Sequence, residues 1–75
     1  MKEQIIEILT DIRDDVDVTR VDLIDAGVLS SLDIIQLIGA LNDEFDISIP
    51  ATEIKPQNFN SVDAILKMVE RLSEE

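Results

Sequence analysis

The sequence contains no cysteine, no histidine, no tyrosine and no tryptophan. The absence of cysteine excludes disulfides and thiolate metal sites. Without histidine, the side chains able to act as general bases shrink to carboxylates and three lysines, Lys2, Lys55 and Lys67. Cations are scarce altogether: six Lys and Arg stand against seventeen Asp and Glu, a formal net charge of −11. That balance opposes binding to nucleic acid or to an anionic membrane, and favours basic patches on other proteins. Long apolar runs are missing too. The N-terminal stretch MKEQIIEILTDIRDD lacks the continuous hydrophobic region of a secretory signal, so the chain reads as a soluble, cytoplasmic protein. At 75 residues it buries only about 60% of its unfolded surface, which implies one domain, 1–75, with a small core and no deep enclosed active site.

The charge that is present is unevenly placed. Between residues 21 and 54 there are seven acids, Asp22, Asp25, Asp33, Asp43, Glu44, Asp46 and Glu53, and no Lys or Arg. A basic partner would be attracted most strongly there, although acids also simply solvate exposed helix faces.

Hydrophobic periodicity predicts the elements. Ile5, Ile8, Leu9 and Ile12 recur at the spacing of one helical face, with Ile6 beside it, which predicts an amphipathic helix over about 2–14. DDVDVTRVDLIDAGVL, residues 14–29, mixes short acidic side chains with β-branched ones and holds one of the two glycines. It reads as a long loop pinned to the core by Leu23, Ile24, Val28 and Leu29. Ile34, Leu37, Ile38, Leu41 and Phe45 then follow a 3.6-residue period, giving a second helix that ends near residue 45 or 46. DISIP alternates like an extended connector, and Pro50 biases Ile49 away from helix. ATEIKPQNF allows at most a short helix or turn. Asn60 or Ser61 can cap a last helix with Val62, Ile65, Leu66, Val69 and Leu72 as its buried stripe. The expected architecture is all-α: three main helices, a short third helix or turn between the last two, and a long first loop.

The stretch VLSSLDIIQLI, residues 28–38, places two serines at the start of the second helix. Ser30 suits the N-cap, its hydroxyl accepting the amide of Asp33, while Asp33 completes a weaker capping box than Glu or Gln would. Ser31 then falls at the first helical position, where unpaired amides favour an anion such as a phosphate. Plain capping is the commoner use of such residues, and spacing alone leaves both readings open. Nucleophilic catalysis by the chain itself is excluded more firmly, because no histidine or evident lysine partner supplies a base. A calcium loop also fails. In the best register, beginning Asp15, Asp17 and Thr19, Arg20 stands where glycine is needed and Ala26 where the bidentate glutamate is needed.

DAGVLSSLDIIQLIGALNDEFDISIP, residues 25–50, resembles the acyl carrier proteins. The shared features are a glycine, a few apolar residues, an Asp-Ser-Leu-type signature opening a helix, an acidic Glu-Phe end and an Ile-Pro connector. The first helix and NSVDAILKMV extend the resemblance over nearly the whole chain. It implies a carrier without catalytic activity, in which the signature serine, Ser31 here, receives 4′-phosphopantetheine from coenzyme A. An acyl or aminoacyl group would then be held on the arm as a thioester. The implied partners are a phosphopantetheinyl transferase, an acyl- or aminoacyl-adenylating ligase and a downstream acyltransferase or synthase, met by a monomer with no nucleic-acid or membrane-inserting role.

Two departures stand out. The family's usual Asp before the serine is Ser30, which keeps a cap oxygen but removes a negative charge that a transferase would meet. Positions matching the family's recognition face are Leu32, Ile35, Gln36, Gly39, Asn42 and Asp43, so neutral amides replace two glutamates and a glycine replaces a methionine. Leu32, Ile35, Gln36 and Gly39, with the acids Asp33, Asp43 and Glu44, form the expected docking surface. Gly39 reflects either close packing within the chain or mere drift on one side, or close approach by a partner on the other. PATEIKPQNFN, residues 50–60, resembles the longer third-helix region of D-alanyl and other aminoacyl carriers. The alternative function is an unmodified acidic interaction module of the same fold, supported by the missing Asp.

Overall fold

A computed structural model describes residues 2–73. Four α-helices follow in order: α1 (Lys2–Ile12), α2 (Ser31–Phe45), α3 (Pro56–Phe59) and α4 (Val62–Ser73), with a 3₁₀ turn at Ala51–Glu53. Among the described residues there is no strand, and α1 packs against both α2 and α4. The expected all-α bundle is therefore the observed one. In DISIP, residue 46 is a turn and residues 47–50 form an irregular connector whose Ile47 and Ile49 amides bond to Asn42.

The core is built from the predicted faces. Ile5 and Leu9 of α1, Leu37 and Leu41 of α2, and Ile65 and Val69 of α4 are fully buried. Phe59 and Met68 join them, and Leu66 and Leu72 are only half-buried. Helix α1 ends at Ile12, about two residues before the sequence pattern suggested. Its last turn has no basic residue, and Asp14 and Asp15 follow it. Carboxylates at the negative end of a helix dipole disfavour further extension.

The long first loop is held by one side chain whose role was not legible beforehand. Asn60 Oδ1 accepts the amides of Ile24 (2.9 Å) and Asp25 (3.1 Å), Asn60 Nδ2 donates to Asp25 Oδ2 (3.2 Å), and the Asn60 carbonyl accepts from Leu23 N (2.8 Å). Capping of α4 falls instead to Ser61, whose Oγ accepts from Ala64 N at 3.0 Å. Within the loop, Leu23 is fully buried, and its carbonyl accepts the amides of both Val28 and Leu29 at 3.0 Å. That tight return passes through Gly27 at φ +75°, a left-handed conformation that L side chains rarely adopt. The turn delivers the chain to Ser30 and so fixes where α2 begins.

Candidate functional site

At the head of α2 the two serines separate in role. Ser30 has extended backbone (φ −90°, ψ 175°); its Oγ accepts from Asp33 N at 3.3 Å, and its own amide donates to Asp33 Oδ2 at 3.0 Å. Both halves of the capping box are thus formed. Ser31 opens the helix, is exposed, and its hydroxyl makes no hydrogen bond to any described residue. Ser30 caps the Asp33 amide, which leaves the Ser31 hydroxyl without that task.

Asp33, expected on the docking surface, makes contacts within the fold. Its side chain is only 13% exposed, and Oδ2 also lies 3.4 Å from the Arg13 guanidinium. The hydrogen bond from the Ser30 amide holds its carboxyl below the usual carboxylate range, against the opposing effect of burial and with further help from the Ser30 hydroxyl and Arg13. Asp33 therefore ties the end of α1 to the start of α2 and fixes the helix turn that presents Ser31.

The other expected docking residues do share a surface. Leu32 is 69% exposed and Ile35 65%, large values for apolar side chains, and Gln36, Gly39, Asp43 and Glu44 are exposed as well. Residues 32, 35, 36, 39 and 43 follow helical spacing and occupy one face of α2, with Glu44 beside it. A Cβ built at Gly39 would meet nothing within 4 Å, which removes close packing within the chain as the reason for this glycine. Asn42 is half-buried and occupied structurally: its Oδ1 accepts from Ile49 N at 3.2 Å, and its carbonyl accepts from Asp46 and Ile47. Those bonds close the C-terminal end of α2, where Asp46 is left-handed (φ 53°).

Beside Ser31 lies an open apolar groove of about 290 Å³. Ile34, Ile35 and Ile38 of α2 line it together with Ile54, Pro56 and Phe59 from the segment running into α3. Ile24, held by the Asn60 clamp, comes from the first loop, and Ser31 and Lys55 complete the lining. The groove was not foreseen from the sequence. Ile34 and Ile38, on the apolar stripe of α2, are half-buried and line the groove.

In the rejected calcium register, Asp17 accepts both the amide and the hydroxyl of Thr19, which lowers its pKa, and Arg20 pairs with Asp22 at 2.8 Å. These are local turn contacts. Among the described residues no group of three or more Asp, Glu, His or Cys is arranged to hold a metal ion, and no helix is long and apolar enough to cross a membrane.

The head of α2 thus combines an exposed serine hydroxyl, an apolar groove beside it and an exposed helix face that ends in two acids. Residues 3–69 match the family model described as a phosphopantetheine attachment site. The chain belongs to that family, whose members carry cargo on phosphopantetheine for partner enzymes and are not themselves enzymes. Among curated relatives, aminoacyl carrier protein 1 of Bradyrhizobium diazoefficiens is 44% identical over 54 residues, 71% of this chain and 59% of that protein. The D-alanyl carrier proteins of Streptococcus sanguinis and Streptococcus gordonii are each 35% identical over 74 residues, 96% of this chain and 94% of theirs. The aminoacyl flavour read from residues 50–60 is thus matched by the relatives.

Proposed function

We propose that Ser31 is the attachment point of 4′-phosphopantetheine and that the protein holds an aminoacyl or related acyl group for a partner enzyme. The observation that carries this reading is the division of labour at the head of α2: Ser30 and Asp33 complete the capping box, and the exposed Ser31 hydroxyl is left unbonded. In modification, Ser31 Oγ forms the new bond to phosphorus, and the nucleotide half of coenzyme A departs. The hydroxyl proton must be taken by the transferase, because the chain has no histidine and no base bonded to this serine. When bound, the arm supplies a terminal thiol able to hold an acyl group as a thioester. The residues present fit such a group. The hydroxyl is accessible, helix-end amides favour the phosphate, and the apolar groove offers a surface along which the arm can lie.

Docking is assigned to the exposed face of α2. Leu32 and Ile35 supply apolar contact beside Ser31, Asp43 and Glu44 supply charge at the far end, and Gln36 and Gly39 lie between. The partners of the reading are a phosphopantetheinyl transferase and an amino-acid-adenylating ligase acting on a cytoplasmic monomer, the ligase being favoured by the names of the relatives. Ser30 in place of the family's Asp leaves the cap geometry complete, so the substitution does not disturb the presentation of Ser31. The test is intact mass after incubation with coenzyme A and a broad-specificity transferase. The expected result is a gain of one arm, lost in Ser31→Ala. No gain, or a gain that survives Ser31→Ala, overturns the assignment in favour of an unmodified interaction module.

A further inference from the structure

Resting on the reading of Ser31 as the attachment point, we propose that Lys55 is the residue that anchors the phosphodiester of the arm, holding it over the groove between α2 and α3. Lys55 and Ser31 line the same groove, and every other residue lining it is apolar. The four cations Lys2, Arg13, Arg20 and Arg71 are each ion-paired, to Asp63, Asp33, Asp22 and Glu53 respectively. Lys55 and Lys67 have no such partner among the described residues. Lys67 lies in a separate depression on α4 that does not include Ser31.

The nearest carboxylate attracts Lys55 through space but spends its hydrogen bonds on other partners. Glu53, two residues away, accepts from both Arg71 nitrogens, at 3.0 and 2.6 Å, and from Asn58 Nδ2. Asp33, at the same helix end as Ser31, is held by the Ser30 amide and Arg13. Among the described residues Lys55 is therefore the one cation of the groove and has no ion pair of its own, Glu53 acting on it only from beyond ion-pair distance, and a phosphodiester on Ser31 would bring a negative group into the same groove. The backbone keeps the lysine in place. Pro56 follows it, Lys55 is extended (φ −144°, ψ 152°), and its carbonyl accepts from Asn58 N at 3.0 Å, so its backbone is fixed at the entry to α3. Between residues 21 and 54 the chain has no cation of its own to do this work.

The test uses the full chain with and without the arm, the modified form confirmed by mass. Trace amine acylation followed by peptide mass spectrometry compares Lys55 with Lys67 as an internal control. The expected result at low salt is a twofold to fivefold fall in Lys55 labelling on modification, as for an exposed ion pair, with Lys67 unchanged. Labelling of Lys55 should recover at about 1 M salt, where the screening length is about 3 Å; simple shielding by the arm would not respond to salt. In parallel, the ³¹P resonance of the modified protein should move in Lys55→Met and stay put in Lys67→Met. Equal labelling of the two lysines, protection that survives high salt, or a ³¹P resonance indifferent to Lys55 overturns the anchoring role alone. Failure of the protein to gain the arm overturns this inference together with the function it rests on.

Discussion

Gly39→Ala is expected to make the protein more stable. Gly39 occupies the ninth position of the fifteen-residue helix α2, so it is flanked by helix on both sides and lies away from either cap. Glycine in such a place costs about 0.8–1 kcal/mol relative to alanine, because the unfolded chain has more backbone freedom to lose. The added Cβ would meet no heavy atom within 4 Å, so no steric penalty offsets the gain. For a domain of this size about 1 kcal/mol corresponds to roughly 4–8 °C in Tm. Thermal unfolding followed by circular dichroism, repeated in urea to check an unchanged m-value, measures it. A fall in Tm would refute the reasoning, since it would require a neighbour against Gly39 that the structure does not contain. The same substitution also tests why the glycine is there. Placed among Leu32, Ile35, Gln36 and Asp43, a methyl group stands where a docking partner would approach. The expected outcome is a more stable carrier that its cognate ligase loads less efficiently.

The two serines should respond oppositely to truncation: Ser30→Ala removes the cap and should cost about 1 kcal/mol, whereas Ser31→Ala, which breaks no hydrogen bond, should stay within about 0.5 kcal/mol of the parent. Asn60→Ala loses three side-chain hydrogen bonds to the first loop and should destabilise by about 1–3 kcal/mol, with faster amide exchange at Ile24 and Asp25 as the local signature. Acid should unfold the protein partly through Asp33. Its folded-state pKa lies below the ordinary aspartate value, so its contribution is fully present above about pH 4 and is lost as the pH falls through the folded value. Asp33→Asn should therefore flatten the stability profile below pH 4 in a urea series run at several pH values; an unchanged slope would contradict the assignment.

How much of this could be read from the chain divides along the range of the interactions. The faces of α1, α2 and α4 were legible because burial repeats with the helical period, and the capping box was legible because Ser30 and Asp33 lie three residues apart. Asn60 was ambiguous for the opposite reason. A side chain next to Ser61 suits a cap locally, and only the folded chain brings it to Ile24 and Asp25, thirty-six and thirty-five residues away. Asp33 shows the same limit: its place in the cap was visible, but the approach of Arg13 from just beyond α1 was not. The groove escaped notice because periodicity marks apolar positions without saying whether a neighbour covers them. Met68 follows Ile65 by three residues and lies on the same buried face, so periodicity alone marks it as core.

The charges along α2 are arranged against the helix's own stability, and that supports the docking role. A helix prefers acids near its start and bases near its end. Helix α2 has Asp33 in its first turn, as stability would favour, but Asp43 and Glu44 near its end, Asp46 just beyond, and no base in its last turn. Each such acid is unfavourable by about 0.3–1 kcal/mol at low ionic strength, in a small domain with little stability to spare. The cations that reach the Ser31 end, Arg13 and Lys55, come from outside the acidic segment. They are held on Asp33 in one case and beside the groove in the other. The result is a helix that is negative where a basic partner would dock and locally compensated where the cargo arm would be attached. Exposed charges placed in this way act chiefly on the rate of encounter. Replacing Asp43 and Glu44 by Asn and Gln should accordingly raise stability slightly while slowing association with a basic ligase, and the slowing should vanish at high salt. A loss of affinity that persisted at high salt would mean these acids make close, desolvated contacts instead, and the steering argument would fail.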